Sequence, residues 1–305
     1  MIKLDIQKVA SIIKEVAQQE ILPRYGKLNQ QEIRYKLGSN DPVTSADEET
    51  ERLLSQRLTD LLPGSLVIGE EAYSHNPLTL NYLLGEDPVF VIDPLDGTSD
   101  FTKGNPAFFT MVALIKKQEI IAGFVHHPLS GETLIAEKGA GAWLNGKRLH
   151  ALTPVSLKNA KGTIGRKVWN GLPEIRKKLQ NNFLLLDCNP NSGYAAPKLL
   201  TSDSYFGLKD GSPQMHFRVC PYWSTPWDDA ASLLAYAEGG GAYTNWDGKK
   251  YRLNQLYQGI VMAPDKDMIK ELMHSFAPYE LRDKILRQSL HNSSSLKREA
   301  SDEIN

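Results

Sequence analysis

The segment Asp93-Pro94-Leu95-Asp96-Gly97-Thr98 brings two carboxylates, a ring-locked proline, a glycine and a hydroxyl together in one short run. Three more acidic groups are candidates to join it: Asp47 in Asp41-Pro42-Val43-Thr44-Ser45-Ala46-Asp47, Glu70 in Gly69-Glu70-Glu71, and Asp228 in Trp227-Asp228-Asp229-Ala230-Ala231. Carboxylates brought together repel or take up protons unless a cation lies between them. Mg²⁺ suits such a set, because it takes oxygen ligands, keeps some of its water and is often completed by a phosphate. Two ions about 3.5–4 Å apart would steady both the attacking and the leaving oxygen of a phosphate ester. Gly97 allows close backbone approach, so the Gly97 and Thr98 amides could cradle an oxyanion while the Thr98 hydroxyl orients a water.

Each cluster also has an ordinary reading. Asp, Pro and Gly are common turn formers, Asp228 before an apolar helix is a good N-cap, and Glu70-Glu71 could be a solvated pair. Their joint presence, two at strand ends and one at a helix start, favours a metal-dependent phosphate site. An EF-hand loop starting at Asp93 fails, since Leu95 stands where an oxygen side chain is needed. An aspartyl-phosphate mechanism of the haloacid-dehalogenase type is disfavoured, because two residues rather than one separate Asp93 from Asp96.

These residues need a scaffold. Val9, Ile12, Ile13, Val16 and Ala17, continued by Ile21 and Leu22, predict a first amphipathic helix ending near Pro23. Leu53, Leu54, Leu58, Leu61 and Leu62 form one side of a second helix, Asp47 to Leu62, stopped by Pro63-Gly64. Short apolar runs then predict strands at Leu66–Ile68, Val89–Ile92, Phe109–Ile115, Ile120–Val125 and Thr133–Glu137, several in hairpin order. On this reading Asp93-Pro94-Leu95-Asp96 is a tight turn that follows the second strand. Beyond Thr153 a strand-like run (Phe183–Leu186) and a helix (Asp228–Ala237) closed by Gly239-Gly240-Gly241 point to an α/β layered fold in two halves. Residues 1–152 are expected to carry most metal ligands, and residues 153–290 Asp228 and the substrate contacts. The polar, charged residues 291–305 are expected to form a disordered tail.

At 305 residues the chain can bury a substantial core. Its 35 basic and 36 acidic residues nearly cancel, which removes any electrostatic reason to expect nucleic acid or an anionic membrane as partner. No run approaches a membrane span and the first residues lack the apolar core of a signal peptide, so a cytoplasmic protein is expected. Cys188 and Cys220 fit two reduced thiols.

Ile68-Gly69-Glu70-Glu71, Asp93-Pro94-Leu95-Asp96-Gly97-Thr98-Ser99-Asp100-Phe101 and Trp227-Asp228-Asp229-Ala230-Ala231 resemble the signatures of the inositol monophosphatase family, and the Asp41–Asp47 segment is similar to its D-x-V-T-x-x-D element. The resemblance implies a lithium-sensitive, homodimeric phosphatase of αβαβα sandwich fold, using two or three Mg²⁺ ions and direct attack by water. Carried over by position, Glu70, Asp93 and the Leu95 carbonyl would hold the first ion. Asp93, Asp96 and Asp228 would hold the second, and Glu70 a weaker third. Asp47 and Thr98 would orient and deprotonate the water. Gly97 and Thr98 amides would bind phosphate, and Gly193, Tyr194, Ala195, Ala196 and Asp228 would contact the rest of the substrate.

The chain departs from that pattern in places. Asp100 stands where Asn is usual and adds a negative charge, Ser232 replaces a frequent Gly, and Pro197-Lys198 follow the Gly193–Ala196 segment. Ser204–Trp227 is long and aromatic (Tyr205, Phe206, Phe217, Tyr222, Trp223) and contains no recognisable substrate-binding Glu. His216 and Arg218 read as surface or strand residues, with binding of a second substrate anion as the alternative. His126-His127 reads as structural, since neighbouring strand residues face opposite ways, and Trp143 as core. The expected substrate is inositol monophosphate or a similar polyol phosphate. The alternatives are 3′-phosphoadenosine 5′-phosphate, fructose-1,6-bisphosphate and histidinol phosphate, or a non-catalytic binding protein on the same fold.

Overall fold

The computed structural model describes residues 4–28, 30–36, 42–189, 191–201, 213–281 and 283–284. Helix α1 (Ile6–Val16) starts at Asp5, whose side chain accepts from the Lys8 amide. The apolar stripe runs on past Val16, but the backbone there loosens into a π turn (Ala17–Ile21), so the first helix is α-helical over a shorter span than its periodicity predicts. Strands β1 (Ile33–Tyr35) and β2 (Pro42–Thr44) form a small ribbon leading into α2 (Ser45–Leu61). Val9, Ile13, Leu54 and Leu58 of α1 and α2 pack on Phe90, Val112 and Phe124, making one helical layer on one sheet face.

That sheet has seven strands in sequence order: β3 (Leu66–Gly69), β4 (Val89–Asp96), β5 (Phe109–Lys116), β6 (Glu119–His127), β7 (Glu132–Glu137), β8 (Gly141–Leu144) and β9 (Lys147–Arg148). Only β3 and β4 run parallel, joined across α3 (Glu70–His75); the rest is an antiparallel meander. Short α4 (Thr98–Phe101) follows β4. Here the structure corrects the sequence reading: β4 does not stop at Ile92. It pairs with β5 through Asp96, with a register shift between Asp93 and Asp96. The two acids stand on a bulged strand end, where the extra residues re-aim side chains.

The second sheet has the order β11-β10-β12-β14-β13. Within it β10 (Lys161–Gly165) lies parallel to β11 (Leu185–Asn189) and to the central β12 (Phe217–Cys220); β14 (Ile260–Ala263) runs antiparallel to β12 and to β13 (Ala242–Thr244). The strand expected at Phe183–Leu186 therefore begins later, and Phe183 instead packs its ring against Phe217 and Phe276. Helices α7 (Ala195–Leu200) and α8 (Pro226–Glu238) fill the space between the sheets, where Met111, Val125, Leu134, Leu233, Leu234 and Met262 share one core. Contact is close there: a Cβ on Gly123 of β6 would lie 2.9 Å from the Ala231 backbone of α8. Helices α5 (Arg166–Gly171), α6 (Pro173–Gln180) and α9 (Lys266–Phe276) cover the outer face through Val168, Leu179, Ile269 and Leu272. The layers thus alternate α-β-α-β-α.

Three further expectations meet the structure here. Trp143 is 38% exposed rather than core, its ring faced by Arg148; its β8 neighbours Ala142 and Leu144 are buried, and alternation turns Trp143 to the opposite face. No described helix is long and apolar enough to cross a membrane. Asp41, Tyr205, Phe206 and the expected tail at 291–305 lie outside the described residues.

Candidate active site

Asp47 opens α2 in a reciprocal cap. The Thr44 hydroxyl accepts from the Ala46 amide, while Asp47 Oδ2 accepts from the Thr44 amide at 2.8 Å and from its hydroxyl at 2.7 Å. The other carboxylate oxygen, Oδ1, accepts from the Thr98 hydroxyl at 2.9 Å. That hydroxyl also lies 2.9 Å from the Leu95 carbonyl, so its single proton has two acceptors. Burial pushes the Asp47 carboxyl from 3.8 up to about 7, against the lowering effect of the Thr44 and Thr98 bonds.

Gly97 makes this approach possible. Its φ of 89° is left-handed, and a Cβ there would lie 2.6 Å from Asn191 Nδ2 and overlap the Ala107 carbonyl oxygen. The backbone thereby turns from β4 into α4 and sets Thr98 opposite Asp47.

Glu70 at the start of α3, Asp93 on β4 and Asp228 in the first turn of α8 each offer a carboxylate oxygen, and these oxygens lie within 4.8 Å of one another. Asp228 is not the cap of its helix; Thr225 is, accepting from the Asp228 amide. Burial first, then the Glu70 charge, holds the Asp93 and Asp228 carboxyl groups well above the usual range, and the two are hydrogen-bonded to each other. Lys36 places its ammonium on Glu70 and 3.1 Å from Glu71. An all-oxygen set that shares a proton and draws in an ammonium fits a hard divalent cation.

Asp96 is not one of these three, though its charge acts on both Asp93 and Asp228. Its two oxygens accept from the Gly193 amide at 2.5 Å and the Ser192 amide at 3.4 Å, which ties β4 to the segment leading into α7. Gly193 thus meets Asp96 through its amide, while the buried Tyr194 ring packs edge-on against Phe109 at 4.7 Å. Ala195 and Ala196 are buried in the first turn of α7.

Several supporting residues carried no motif. Glu51, one turn after Asp47 on the same face of α2, accepts from the Glu71 and Ala72 amides, both at 2.8 Å, and so caps α3 beneath Glu70. Its i+4 spacing from Asp47 was the available signal. Arg218 is not a surface residue: on β12 it is 3% exposed, 3.1 Å from Asp229 Oδ1 and 3.3 Å from Ser192 Oγ. Only the fold could bring these three together. The extra charge of Asp100 is met by Arg166, 2.6 Å away. His126 and His127 are both buried, held by Thr133 and by Ser130 and the Pro106 carbonyl.

Residues 3–280 match the inositol monophosphatase family. A fructose-1,6-bisphosphatase/inositol-1-monophosphatase of Thermotoga maritima is 29% identical over 222 residues, 72% of this chain and 77% of its own. The Salmonella typhimurium protein named Nus factor SuhB is 28% identical over 256 residues, 82% of this chain and 87% of its own. Among solved structures, an IMPase of Thermotoga maritima has a TM-score of 0.70 at 22% identity, covering 93% of this chain and 98% of its own, a likeness of fold. The acidic cluster beside Thr98 and Asp47 thus sits in a protein matched to one phosphatase family over nearly its whole length, and this chain belongs to the inositol monophosphatase family.

Proposed function

We propose that this protein hydrolyses a small phosphate monoester, with inositol monophosphate or a similar polyol phosphate as the substrate class, in a Mg²⁺-dependent reaction. The observation that carries the reading is the convergence of Glu70, Asp93 and Asp228 beside the Thr98–Asp47 hydrogen bond. Those three carboxylates and the Leu95 carbonyl would hold the metal, with Asp96 contributing from the end of β4, where the Ser192 and Gly193 amides hold it. Bound there, the cation supplies Lewis-acid chemistry: it polarises the ester and makes a water nucleophilic near neutral pH.

The chain's own residues do the remaining work. With its proton directed to Asp47, the Thr98 oxygen keeps lone pairs, so it can accept a proton from the attacking water and pass its own to Asp47. A carboxyl raised to about 7 is suited to that exchange at neutral pH. The Gly97 and Thr98 amides, at the sharp turn into α4, are placed to steady the phosphoryl oxygens. The family resemblance further supports a homodimer, sensitivity to lithium and a cytoplasmic setting as parts of this proposal.

Purified protein given Mg²⁺ should release phosphate from inositol monophosphate. Release should stop with EDTA, return with Mg²⁺, and be lost in Asp93→Asn. Wild-type protein with saturating Mg²⁺ that is inert across a broad panel of phosphate esters would remove the reading.

A further inference from the structure

Helix α3 is six residues long, and a helix that short does not hold its own shape in water. It follows β3 at once, and the last pair between β3 and β4 is Gly69 with Ile92. Glu70 therefore stands just past the paired strand, and the direction of its carboxylate depends on what fixes α3. Gly69, the cap residue, has no side chain to serve the first amides of the helix. Two side chains from outside its first turn do that work, one from α2 and one facing α8.

The first is Glu51. Its Oε2 accepts from the Glu71 amide and its Oε1 from the Ala72 amide, both at 2.8 Å. One carboxylate thereby satisfies two donors that the helix itself cannot pair, at the end where the helix dipole favours negative charge. The approach is close: a Cβ on Gly69 would overlap the Glu51 carboxylate. Glu51 is 7% exposed, which keeps water from competing for those amides. Asp47 lies one turn earlier on α2, so the same helix presents one carboxylate to the Thr98 hydroxyl and the next to α3.

The second is Tyr73, which follows Glu70 at a spacing that puts both on one side of the helix. Its ring packs against that of Trp227, with centroids 4.8 Å apart and planes tilted by 43°. Trp227 is buried and immediately precedes Asp228 in the first turn of α8. The ring pair thus joins the helix that carries Glu70 to the helix that carries Asp228, two of the three carboxylates that converge. Mg²⁺ demands near-ideal geometry, with oxygens at about 2.0–2.1 Å, so a small drift of α3 would weaken its hold. Glu70 heads the helix that these two contacts keep in place.

We propose that Glu51 and Tyr73 are positioning residues that set the affinity for the divalent cation, Glu51 by capping α3 from α2 and Tyr73 by stacking it on Trp227, both acting through Glu70. This rests on the metal-dependent reading of the site and names residues outside the carboxylate cluster that tune it.

The test reads Mn²⁺ binding to metal-free protein without substrate, from the electron paramagnetic resonance signal of the free ion, beside the Mg²⁺ dependence of phosphate release. Glu51→Gln keeps the side-chain shape but sets an NH₂ group against one of the two amides. Its Mn²⁺ affinity should fall about tenfold, as for groups that orient metal ligands. Tyr73→Leu should lose severalfold, and Tyr73→Phe, which keeps the ring, should bind like wild type. In both weakened variants the Mg²⁺ concentration for half-maximal release should rise by the same factor, while kcat at saturating Mg²⁺ is largely retained. Val168→Ala on α5, in the outer layer, lowers Tm by a core deletion and should leave Mn²⁺ affinity unchanged. Equal weakening in Val168→Ala marks general destabilisation and overturns the proposal. Unchanged affinity in Glu51→Gln and Tyr73→Leu also overturns it; if Glu70→Gln weakens binding in the same assay, the metal reading stands. A loss in only one of the two upholds that residue and removes the other, and a loss in Tyr73→Phe equal to that in Tyr73→Leu removes the stacking. Wild type that binds no Mn²⁺ removes the metal reading and the proposal together. Protein that binds Mn²⁺ yet releases no phosphate loses the phosphatase reading alone, and the affinities still decide the proposal.

Discussion

Thr98 and Asp47 are 51 positions apart in sequence and 2.9 Å apart in space, hydroxyl to carboxylate. The bond joins the turn after β4 to the first turn of α2, and it places a proton acceptor beside the acidic cluster. Thr98→Ala removes the hydroxyl while leaving Asp47 its two bonds to Thr44. Its kcat should fall on the order of a hundredfold, the usual worth of a proton-transfer group, while Thr98→Ser retains most activity. Steady-state kinetics on both variants, with thermal melts to confirm folding, checks this.

Gly97 has a left-handed φ of 89° and no room for a Cβ, whereas Gly139 has φ 80° and nothing within 4 Å. Gly139→Ala should therefore cost only the backbone penalty, about 1–2 kcal/mol. Gly97→Ala should cost that and the overlap with Ala107 and Asn191, giving the larger drop in Tm together with loss of activity. Melting the two variants side by side isolates the clash.

Arg218 and Asp229 form a buried ion pair, 4% and 2% exposed at the side chain. Arg218→Met alone leaves Asp229 buried without its partner and should destabilise by about 3–5 kcal/mol. Adding Asp229→Leu should recover most of that loss, because an apolar pair of similar volume needs no compensation. Denaturant titration of the single and double variants measures both.

The acidic site makes metal-free stability fall as pH rises. Burial raises Asp47 from 3.8 to about 7, Asp96 from 3.8 to about 7 and Glu71 from 4.5 to about 8. Across each interval the folded chain holds a proton that the unfolded chain has released, so the contribution is complete below the unfolded value and lost through the folded one. Buried His126, lowered from 6.5 to about 4, works in the opposite sense and is lost as pH falls through that range. The decline should therefore be clearest above the ordinary histidine range. Tm in EDTA should drop from pH 6.5, above which the opposition from His126 fades, through pH 8, where Glu71 is midway through its titration. Mg²⁺ should flatten that slope, since it binds the ionised carboxylates.

Much of this was legible in the residues, for physical reasons. The helical stripe from Val9 to Val16 and the β-branched runs of the meander are periodic, and periodicity survives folding. Asp93, Glu70 and Asp228 could be placed because each adjoins an element end that sequence marks well. Local chemistry misled where tertiary pairing won: Pro94 suggested a turn, but β5 keeps β4 in register through Asp96 across a bulge. The partners of Arg218, Asp96 and Arg166 were invisible, since each is fixed by an element more than ten residues away. Trp143 reads as core only if its side chain is taken to share the buried face of β8, and the burial of Ala142 and Leu144 on that face turns it outward.

The account depends on Glu70, Asp93 and Asp228 together holding a divalent cation. The most direct measurement is anomalous scattering from crystals of the wild-type protein soaked in Mn²⁺ as a stand-in for Mg²⁺. It should show a peak among these three carboxylates, next to Thr98 and absent in Asp93→Asn. Saturating Mn²⁺ with no peak there, in crystals of protein that still releases phosphate, would contradict the account.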